Sequence, residues 1–272
     1  MSFYTSISGT KGAQADIAVI SNNLANAQTT GFKRSRVEFG DLFAAAPTQT
    51  AREVAGQGVR VMAIMQQFGQ GTLATTDKAL DLGVAGDGFF VVKSKPPTND
   101  VTYTRAGAFN IDADRYVVDT LGARLQLLPI DAQGQVTGTT TTDFNVPSVS
   151  PTNPNAALVS VTIGLDGLAK CSFSDGTTQD LGKIALANFN SLEGLRPIGD
   201  AHWRPTDFSG APIIGEASTG SFGEIRAGTL ERANVEVTEE MVALIAAQRN
   251  FQANAKALDA ESNMSQAIMQ AF

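Results

Sequence analysis

The sequence predicts an α+β protein in which helices at the two ends of the chain pair with each other and enclose a β-rich middle. Residues 229–272 follow the last glycine and the last proline, so they contain no strong helix breaker. A second segment with helical spacing of apolar residues lies near the N-terminus. Between them the chain is rich in glycine and threonine and carries short apolar runs, which is typical of antiparallel strands joined by turns.

The C-terminal helix is expected to begin near Thr238. Threonine is a good N-cap residue, and Glu239 and Glu240 place negative charge at the positive end of the helix dipole. Apolar residues then recur every three or four positions, with one polar break at Gln248, so one face of the helix requires a partner.

The N-terminal helix is expected over residues 13–30, with Gly31 at the position where a helix end favours positive φ. Gly9 and Gly12 weaken the turns before it, since each costs about 1 kcal/mol relative to alanine. Neither helix can bury its apolar stripe alone, so the two are predicted to form a discontinuous coiled coil. The predicted helix seam consists of Ile17, Ile20, Leu24, Met241, Leu244, Phe251, Leu258, Met264 and Ile268.

Four segments follow from these patterns. They are an N-terminal helix at 1–30, an extended connecting region at 31–71, a β-rich outer domain at 72–230 and a C-terminal helix at 231–272. The connecting region contains the alternating stretch 59–64, which predicts a strand. Residues 137–155 are predicted to be a surface loop because they are rich in threonine and proline and poor in apolar residues.

Charge and hydropathy exclude several classes of partner. A net charge of −7 and a pI of about 4.8 oppose binding to nucleic acid and to anionic membranes. The apolar runs are shorter than the roughly 18 residues that a membrane span needs. The first residues also lack the basic start and apolar block of a secretory signal peptide. We therefore expect neither nucleic-acid binding nor membrane insertion.

Residues that could carry chemistry are sparse, and we predict no enzyme, no metal site and no cofactor. His202 is the sole histidine, so a catalytic triad would have to use it, and a structural role is favoured. Residues 112–116 fail the calcium-loop pattern. The glycines at 83–88 have the wrong order for dinucleotide binding and predict a turn between two strands.

Two further features are ambiguous. Cys171 is the only cysteine, which excludes an intrachain disulfide; a buried thiol is favoured over one that cross-links chains together with Lys170. The basic cluster at 33–36 is interpreted as a solvated linker, with pairing to acidic residues of a neighbouring subunit as the alternative.

The segment 21–33 closely resembles the signature of the flagellar rod and hook family. The matching residues are Asn22, Asn23, Leu24, Asn26, Thr30, Gly31, Phe32 and Lys33. Blocks at 71–73, 79–84, 86–90 and 103–109 are similar to the family's β domain, and 228–235, 239–242 and 248–251 to its terminal helix. The resemblance therefore covers both ends and most of the middle.

This resemblance implies a structural subunit of the flagellar hook, which assembles head to tail into a flexible helical tube that transmits motor torque to the filament. A distal rod protein of the basal body is the alternative. Blocks 220–223 and 248–251 are more similar to hook proteins, whereas the chain length and the absence of an inserted outer domain match a distal rod protein.

The family resemblance also implies partners and location. The implied partners are further copies of the chain, other axial proteins (distal rod, hook–filament junction proteins and hook cap) and the flagellar type III export apparatus. After export, the subunit is expected outside the cell, in the flagellar hook or basal body. Phe39 and Phe43 resemble the short aromatic motif read by the export gate, although packing of a linker would explain them equally.

Two rival classes are weaker. A glycan hydrolase needs two carboxylates facing each other across a cleft, and the acidic residues show no such pairing pattern. A surface adhesin would retain the β domain without requiring breaker-free helices at both ends.

Overall fold

The computed structural model describes residues 3–42, 56–131, 133–151 and 153–270. These residues form two compact units. The helical unit comprises the described residues of 1–27, 33–67 and 235–272, and the β unit comprises 28–32 and those of 68–234. The described elements are the helices α1 (Phe3–Ala25) and α2 (Val237–Gln270), a 3-10 helix (Leu192–Gly194), and the strands β1 (Ser35–Asp41), β2 (Val59–Gln66), β3 (Leu73–Thr75), β4 (Leu82–Ala85), β5 (Phe89–Lys93), β6 (Val101–Thr104), β7 (Asn110–Ile111), β8 (Val117–Val118), β9 (Arg124–Leu128), β10 (Thr142–Asp143), β11 (Leu158–Ile163), β12 (Leu168–Phe173), β13 (Thr178–Ile184), β14 (Leu186–Asn188), β15 (Arg196–Gly199), β16 (His202–Arg204), β17 (Ile213–Gly215), β18 (Glu224–Ala227) and β19 (Thr229–Glu231). The predicted α+β class, with helices at both ends of a β-rich chain, is confirmed.

In the helical unit, α1 and α2 pack against each other in an antiparallel arrangement. Gly9 lies opposite Asn254, where an added Cβ would approach Asn254 Oδ1 to 2.6 Å. Near the other end of the pair, Asn23 hydrogen-bonds Glu240. The two contacts are the same number of residues apart on both helices, as a coiled-coil seam requires.

The boundaries of α1 differ from the sequence prediction. The helix begins ten residues earlier than position 13, at Phe3, and ends at Ala25, before Gly31. The glycines that argued for a late start sit at close approaches, because Gly12 would bring an added Cβ to 3.3 Å from the ring of Phe39. Gly31 does have positive φ, at 70°.

A hairpin of β1 and β2 packs on α1. Its register runs from Ser35 opposite Gln66 to Asp41 opposite Val59, with a bulge after Glu38. The strand predicted at 59–64 is therefore present, and it has a partner strand, β1, that the alternation pattern did not indicate.

The β unit contains a 13-stranded sheet in the described part of the chain, whose main path runs β11-β12-β13-β9-β5-β6-β16-β15. Strand β5 is buried on both faces. Phe90 and Val92 belong to one core cluster, whereas Phe89 and Val91 belong to the other, as the alternation of side chains along a strand dictates.

The prediction of a surface loop over 137–155 is wrong at Phe144 and Val146. Phe144 and Val146 are fully buried in the larger core, and the Phe144 amide donates to the Leu125 carbonyl at 2.8 Å. The sequence did not indicate this burial, because Phe144 and Val146 are two alternate inward-facing residues in a segment that is otherwise polar or rich in proline. Residues 137–140 are exposed, as predicted.

The turn predicted at 83–88 is confirmed. It joins β4 to β5, and Gly86 and Gly88 both have positive φ, at 113° and 127°. None of the helices in the described residues is long and apolar enough to cross a membrane.

Candidate assembly site

The predicted helix seam divides into inner and outer residues. Ile20 is buried, and the side chains of Ile17, Leu24, Leu244, Phe251 and Leu258 are half-buried. Met241, Met264 and Ile268 are instead more than half exposed. The buried positions of α2 are Glu240 and Ala247, which the search for large apolar residues did not select.

Two apolar patches remain exposed on α2 after it has paired with α1. The N-end patch, in the second and third turns of α2, consists of Met241, Val242 and Ile245, which are 52%, 65% and 51% exposed. The last-turn patch consists of Met264, Ile268 and Met269, of which Met269 is the most exposed at 74%. Contiguous apolar surface of this kind marks association sites.

The last-turn patch borders a groove of about 460 Å³ at the start of α1. Phe3, Met264 and Ile268 supply its apolar lining, and Glu261, Ser262 and Ser265 supply its polar lining. The aromatic ring of Tyr4, which follows Phe3, is 78% exposed. The helical unit therefore presents apolar side chains of both helices at this end.

A polar cluster, the asparagine node, joins three segments at the opposite end of the helix pair. It consists of Asn23, Arg34, Ser35, Glu239 and Glu240. Asn23 is 1% exposed; its Nδ2 donates to the Ser35 carbonyl at 2.8 Å and to Glu240 Oε2 at 3.2 Å. Its Oδ1 accepts from the Ser35 amide at 2.9 Å.

Arg34 completes this node. Its Nε lies 3.3 Å from Glu240 Oε1, and its terminal Nη1 donates to Glu239 at 3.5 Å. Interpreting 33–36 as a solvated linker is therefore wrong for two of its residues. Lys33 is buried, and Arg34 pairs with acidic residues of its own chain.

The other residues of the family-like segment have local roles. Asn26 closes the end of α1, because both its amide and its side-chain Nδ2 donate to the Asn22 carbonyl. The Phe32 amide donates to the Thr29 carbonyl, and the Thr30 and Phe32 side chains are half-buried. At Gly31, an added Cβ would meet the Ala106 amide nitrogen at 2.5 Å, so a side chain is excluded there.

In the β unit, Arg105 and Glu231 form a buried ion pair, the arginine node. Nη1 of Arg105 lies 3.3 Å from Glu231 Oε2, and the two side chains are 5% and 0% exposed. Nη2 of Arg105 donates to the Gly86 carbonyl at 3.0 Å, and its guanidinium lies 5.1 Å from the centre of the Phe89 ring. Burial lowers the pKa of Arg105, and the charge of Glu231 opposes that effect.

Glu231 also binds two backbone amides. Its Oε1 accepts from Gly71 at 2.8 Å, and its main-chain carbonyl accepts from Gly31 at 2.8 Å. Blocks that the family resemblance identified along the whole sequence thus meet at one residue, Glu231. The residues in these contacts are far apart in sequence, so no local pattern predicts that they meet. The family resemblance identified the blocks but not the contacts between them.

His202 has the structural role that the sequence favoured. It is 2% exposed on β16, and its two ring nitrogens lie 2.8 Å from Asp119 Oδ2 and 2.8 Å from the Asp200 carbonyl. Burial lowers the pKa of His202, but the hydrogen bonds to Asp119 and Asp200 outweigh burial and raise it above the ordinary value. Because both nitrogens face acceptors, neither is free to act as a general base.

Cys171 is fully buried in the larger core, and burial raises the pKa of its thiol to about 11. The favoured interpretation of a buried thiol is confirmed. Within the described ranges, no group of three or more His, Cys, Asp or Glu side chains is arranged to hold a metal ion.

Of the two phenylalanines that resemble the export-gate motif, Phe39 lies in the described part of the chain. Phe39 lies on β1 with its ring 45% exposed and with one edge against Gly12 of α1. Phe43 lies outside the described residues.

Three family models match the chain. They are the flagella basal body rod protein (residues 3–33), the flagellar hook protein FlgE/F/G D1 domain (83–170) and the flagellar basal body rod FlgEFG protein C-terminal (226–271). They cover α1 with the adjoining segment, much of the β unit, and α2.

Similar proteins match nearly end to end. The flagellar basal-body rod protein FlgG of Buchnera aphidicola is 31% identical over 99% of this chain and 98% of its own length. FlgG of Borreliella burgdorferi is 32% identical over 96% and 94%. The flagellar hook protein FlgE of Salmonella typhimurium is 25% identical over 97% of this chain and 98% of that protein, in an alignment that extends over 404 positions.

A solved structure, the flagellar hook protein FlgE2 of Helicobacter pylori, matches 65% of this chain and 44% of its own at 16% identity with a TM-score of 0.25, which is too low to support an argument about the fold. Asn23, Arg105, Glu231 and Glu240, which belong to the two nodes, all lie within the ranges that the three family models match. The chain belongs to the flagellar rod and hook family, whose members are structural proteins of the flagellar axis.

Proposed function

We propose that the chain is a subunit that polymerises head to tail into a helical tube of the flagellar axis. The observation that carries this proposal is the exposure of the N-end patch and the last-turn patch on α2, although α2 has already paired with α1. An apolar surface that fits a different surface on the next copy gives an open helical assembly if the rotation does not close. Catalysis has no part in this function.

The dimensions of α2 suit a tube wall. Its 34 residues, at about 1.5 Å per residue, span about 50 Å. The two patches lie near its two ends, so each could contact a different neighbour along the axis. By family resemblance the paired helices line the export channel.

Two positions along the axis are candidates. The terminal blocks 220–223 and 248–251 support the hook, where the tube would bend while transmitting torque. The matches to distal rod proteins support the rod, because they cover both chains almost completely without a long insertion. The alignment with the hook protein is much longer than this chain, and so the comparisons favour the distal rod.

The proposed partners follow from either position. They are further copies of the chain and the adjacent axial proteins, which include the hook cap and the hook–filament junction proteins if the subunit is in the hook. The type III export apparatus would deliver the subunit, with Phe39 and Phe43 as candidate contacts of the export gate.

Charge substitutions in the exposed patches test the polymer. Met241→Asp and Ile268→Asp are expected to abolish tube formation in negative-stain electron microscopy while leaving the helix content of the monomer unchanged, because both side chains are exposed. Phe208→Asp is the matched control, since Phe208 is an 88% exposed apolar residue of the β unit.

A charge on the buried side of the seam should affect the folding of the monomer and not only its assembly. Leu244→Asp is expected to lower the helix content of the monomer itself, because Leu244 is half-buried. Tubes of normal length and yield from both Met241→Asp and Ile268→Asp would disprove the assignment of the patches.

A further inference from the structure

The asparagine node contains polar groups that an apolar helix seam does not need. Asn23 and Glu240 are 1% and 3% exposed, and burial of such groups is costly unless they are hydrogen-bonded. Here both Asn23 side-chain polar atoms and both carboxylate oxygens of Glu240 have partners. The cluster is satisfied in this arrangement of α1, α2 and the start of β1.

We propose that the asparagine node is a specificity device that sets the antiparallel register of α1 and α2 and ties it to the point where the chain enters β1. Asn23 binds the Ser35 backbone through two hydrogen bonds and reaches Glu240 with a third. The inference concerns pairing within one chain, and it stands whether or not the chain polymerises.

The rest of the seam discriminates poorly between registers. In its first half Gly9, which has no side chain, lies against Asn254, and the buried residues of α2 other than Glu240 amount, in the described helix, to Ala247 alone. Small and apolar surfaces pack without directional preference, so a slip of one heptad would replace many contacts by similar ones.

A slip would instead be penalised at the node. If α2 moved by one heptad, Asn23 would lie opposite Ala247 or beyond the helix start, and the Asn23 amide and the Glu240 carboxylate would lose each other. Asn23 would keep its two hydrogen bonds to Ser35, so the penalty falls on the Glu240 carboxylate. A buried polar group left without its partners disfavours the slipped register by about tenfold to a hundredfold. A single buried asparagine can specify pairing in this way at some cost in stability.

This role differs measurably from simple stabilisation. Replacing Asn23 and Glu240 together by leucine removes two desolvated polar groups and adds apolar surface, so helix content should be retained or increased. The register should nevertheless lose its uniqueness. A node that only stabilised the pair would show the reverse, namely loss of helix content with an unchanged register.

Disulfide trapping in the full chain with Cys171→Ser reads out the register. The pair Gly9→Cys and Asn254→Cys reports the native register, since these positions face each other. Gly9→Cys with Ala247→Cys, or with Glu261→Cys, reports a slip of one heptad in either direction, with Asn254→Ala in both to remove the side chain that faces position 9.

With the node intact, the native pair is expected to cross-link at least tenfold more than either slipped pair. In the Asn23→Leu/Glu240→Leu background this ratio should fall tenfold or more, with helix content by circular dichroism at or above that of the parent. Asn22→Leu is the matched control, because Asn22 is exposed and its side chain is outside the node; its ratio should not change.

Two results would overturn the proposal. One is a cross-linking ratio that stays within twofold of the parent in the double variant. The other is a loss of helix content in both the double variant and Asn23→Leu alone, which would show that the node stabilises the pair without selecting its register.

Discussion

Replacing Glu231 by glutamine should destabilise the β unit far more than its small change in shape suggests. The substitution preserves an acceptor for the Gly71 amide but removes the charge opposite Arg105, whose side chain is 5% exposed. Removing one partner of a buried ion pair leaves the other uncompensated and costs about 3–5 kcal/mol. Arg105 cannot escape by deprotonation, since a guanidinium keeps its charge in proteins.

Urea unfolding followed by tryptophan fluorescence measures this cost. Trp203 is the only tryptophan in the sequence, is 1% exposed, and packs on Phe89, so it reports on the β unit. With a slope of about 1–3 kcal/mol per M, Glu231→Gln should lower the urea midpoint by about 1 M or more.

An exposed pair in the same unit supplies the control. Glu224 lies 3.9 Å from Arg226, and both side chains are about half exposed. Glu224→Gln should therefore change stability by less than about 1 kcal/mol. Equal midpoints for Glu231→Gln and Glu224→Gln would refute the argument that the arginine node holds the β unit together.

Three further predictions concern the β unit. Because the pKa of His202 is raised in the folded state, the stability that protonated His202 contributes is complete below the ordinary pKa of about 6.5 and is lost as pH rises through the raised pKa. His202→Gln should abolish this part of the pH dependence of urea unfolding. Gly107→Ala should cost more than about 2 kcal/mol, since its Cβ would overlap the Leu82 carbonyl oxygen, whereas Gly138→Ala, with no heavy atom within 4 Å, should be neutral by thermal melting. Cys171, with its pKa at about 11, should not react with a thiol reagent at pH 8 until urea unfolds the chain; rapid reaction of the native protein would contradict its burial.

The fold class could be predicted because its signals are local. A breaker-free C-terminal segment and the acidic pair Glu239 and Glu240 predicted a helix start within a residue or two of its position at Val237. The helix at the other end was harder to delimit. Gly9 and Gly12 resembled helix breakers, yet they serve close packing against neighbouring side chains.

The polar nodes could not be derived from periodicity. Asn23 and Glu240 are far apart in sequence, as are Arg105 and Glu231, and a search for apolar stripes passes over buried polar residues. The family resemblance covers these blocks without giving the contacts. Burial of Phe144 was missed for a related reason, since one apolar residue among threonines and prolines carries no pattern.

The most direct test of an axial subunit is its location on intact flagella. An epitope tag inserted at the exposed residues 138–140 can be labelled with gold-conjugated antibody and viewed by electron microscopy on hook–basal bodies from cells that carry the gene. We predict label along the axis between motor and filament, on the curved segment for a hook subunit or on the straight shaft for a distal rod subunit. Label confined to the cell surface, with none on the axial structure, would contradict this prediction.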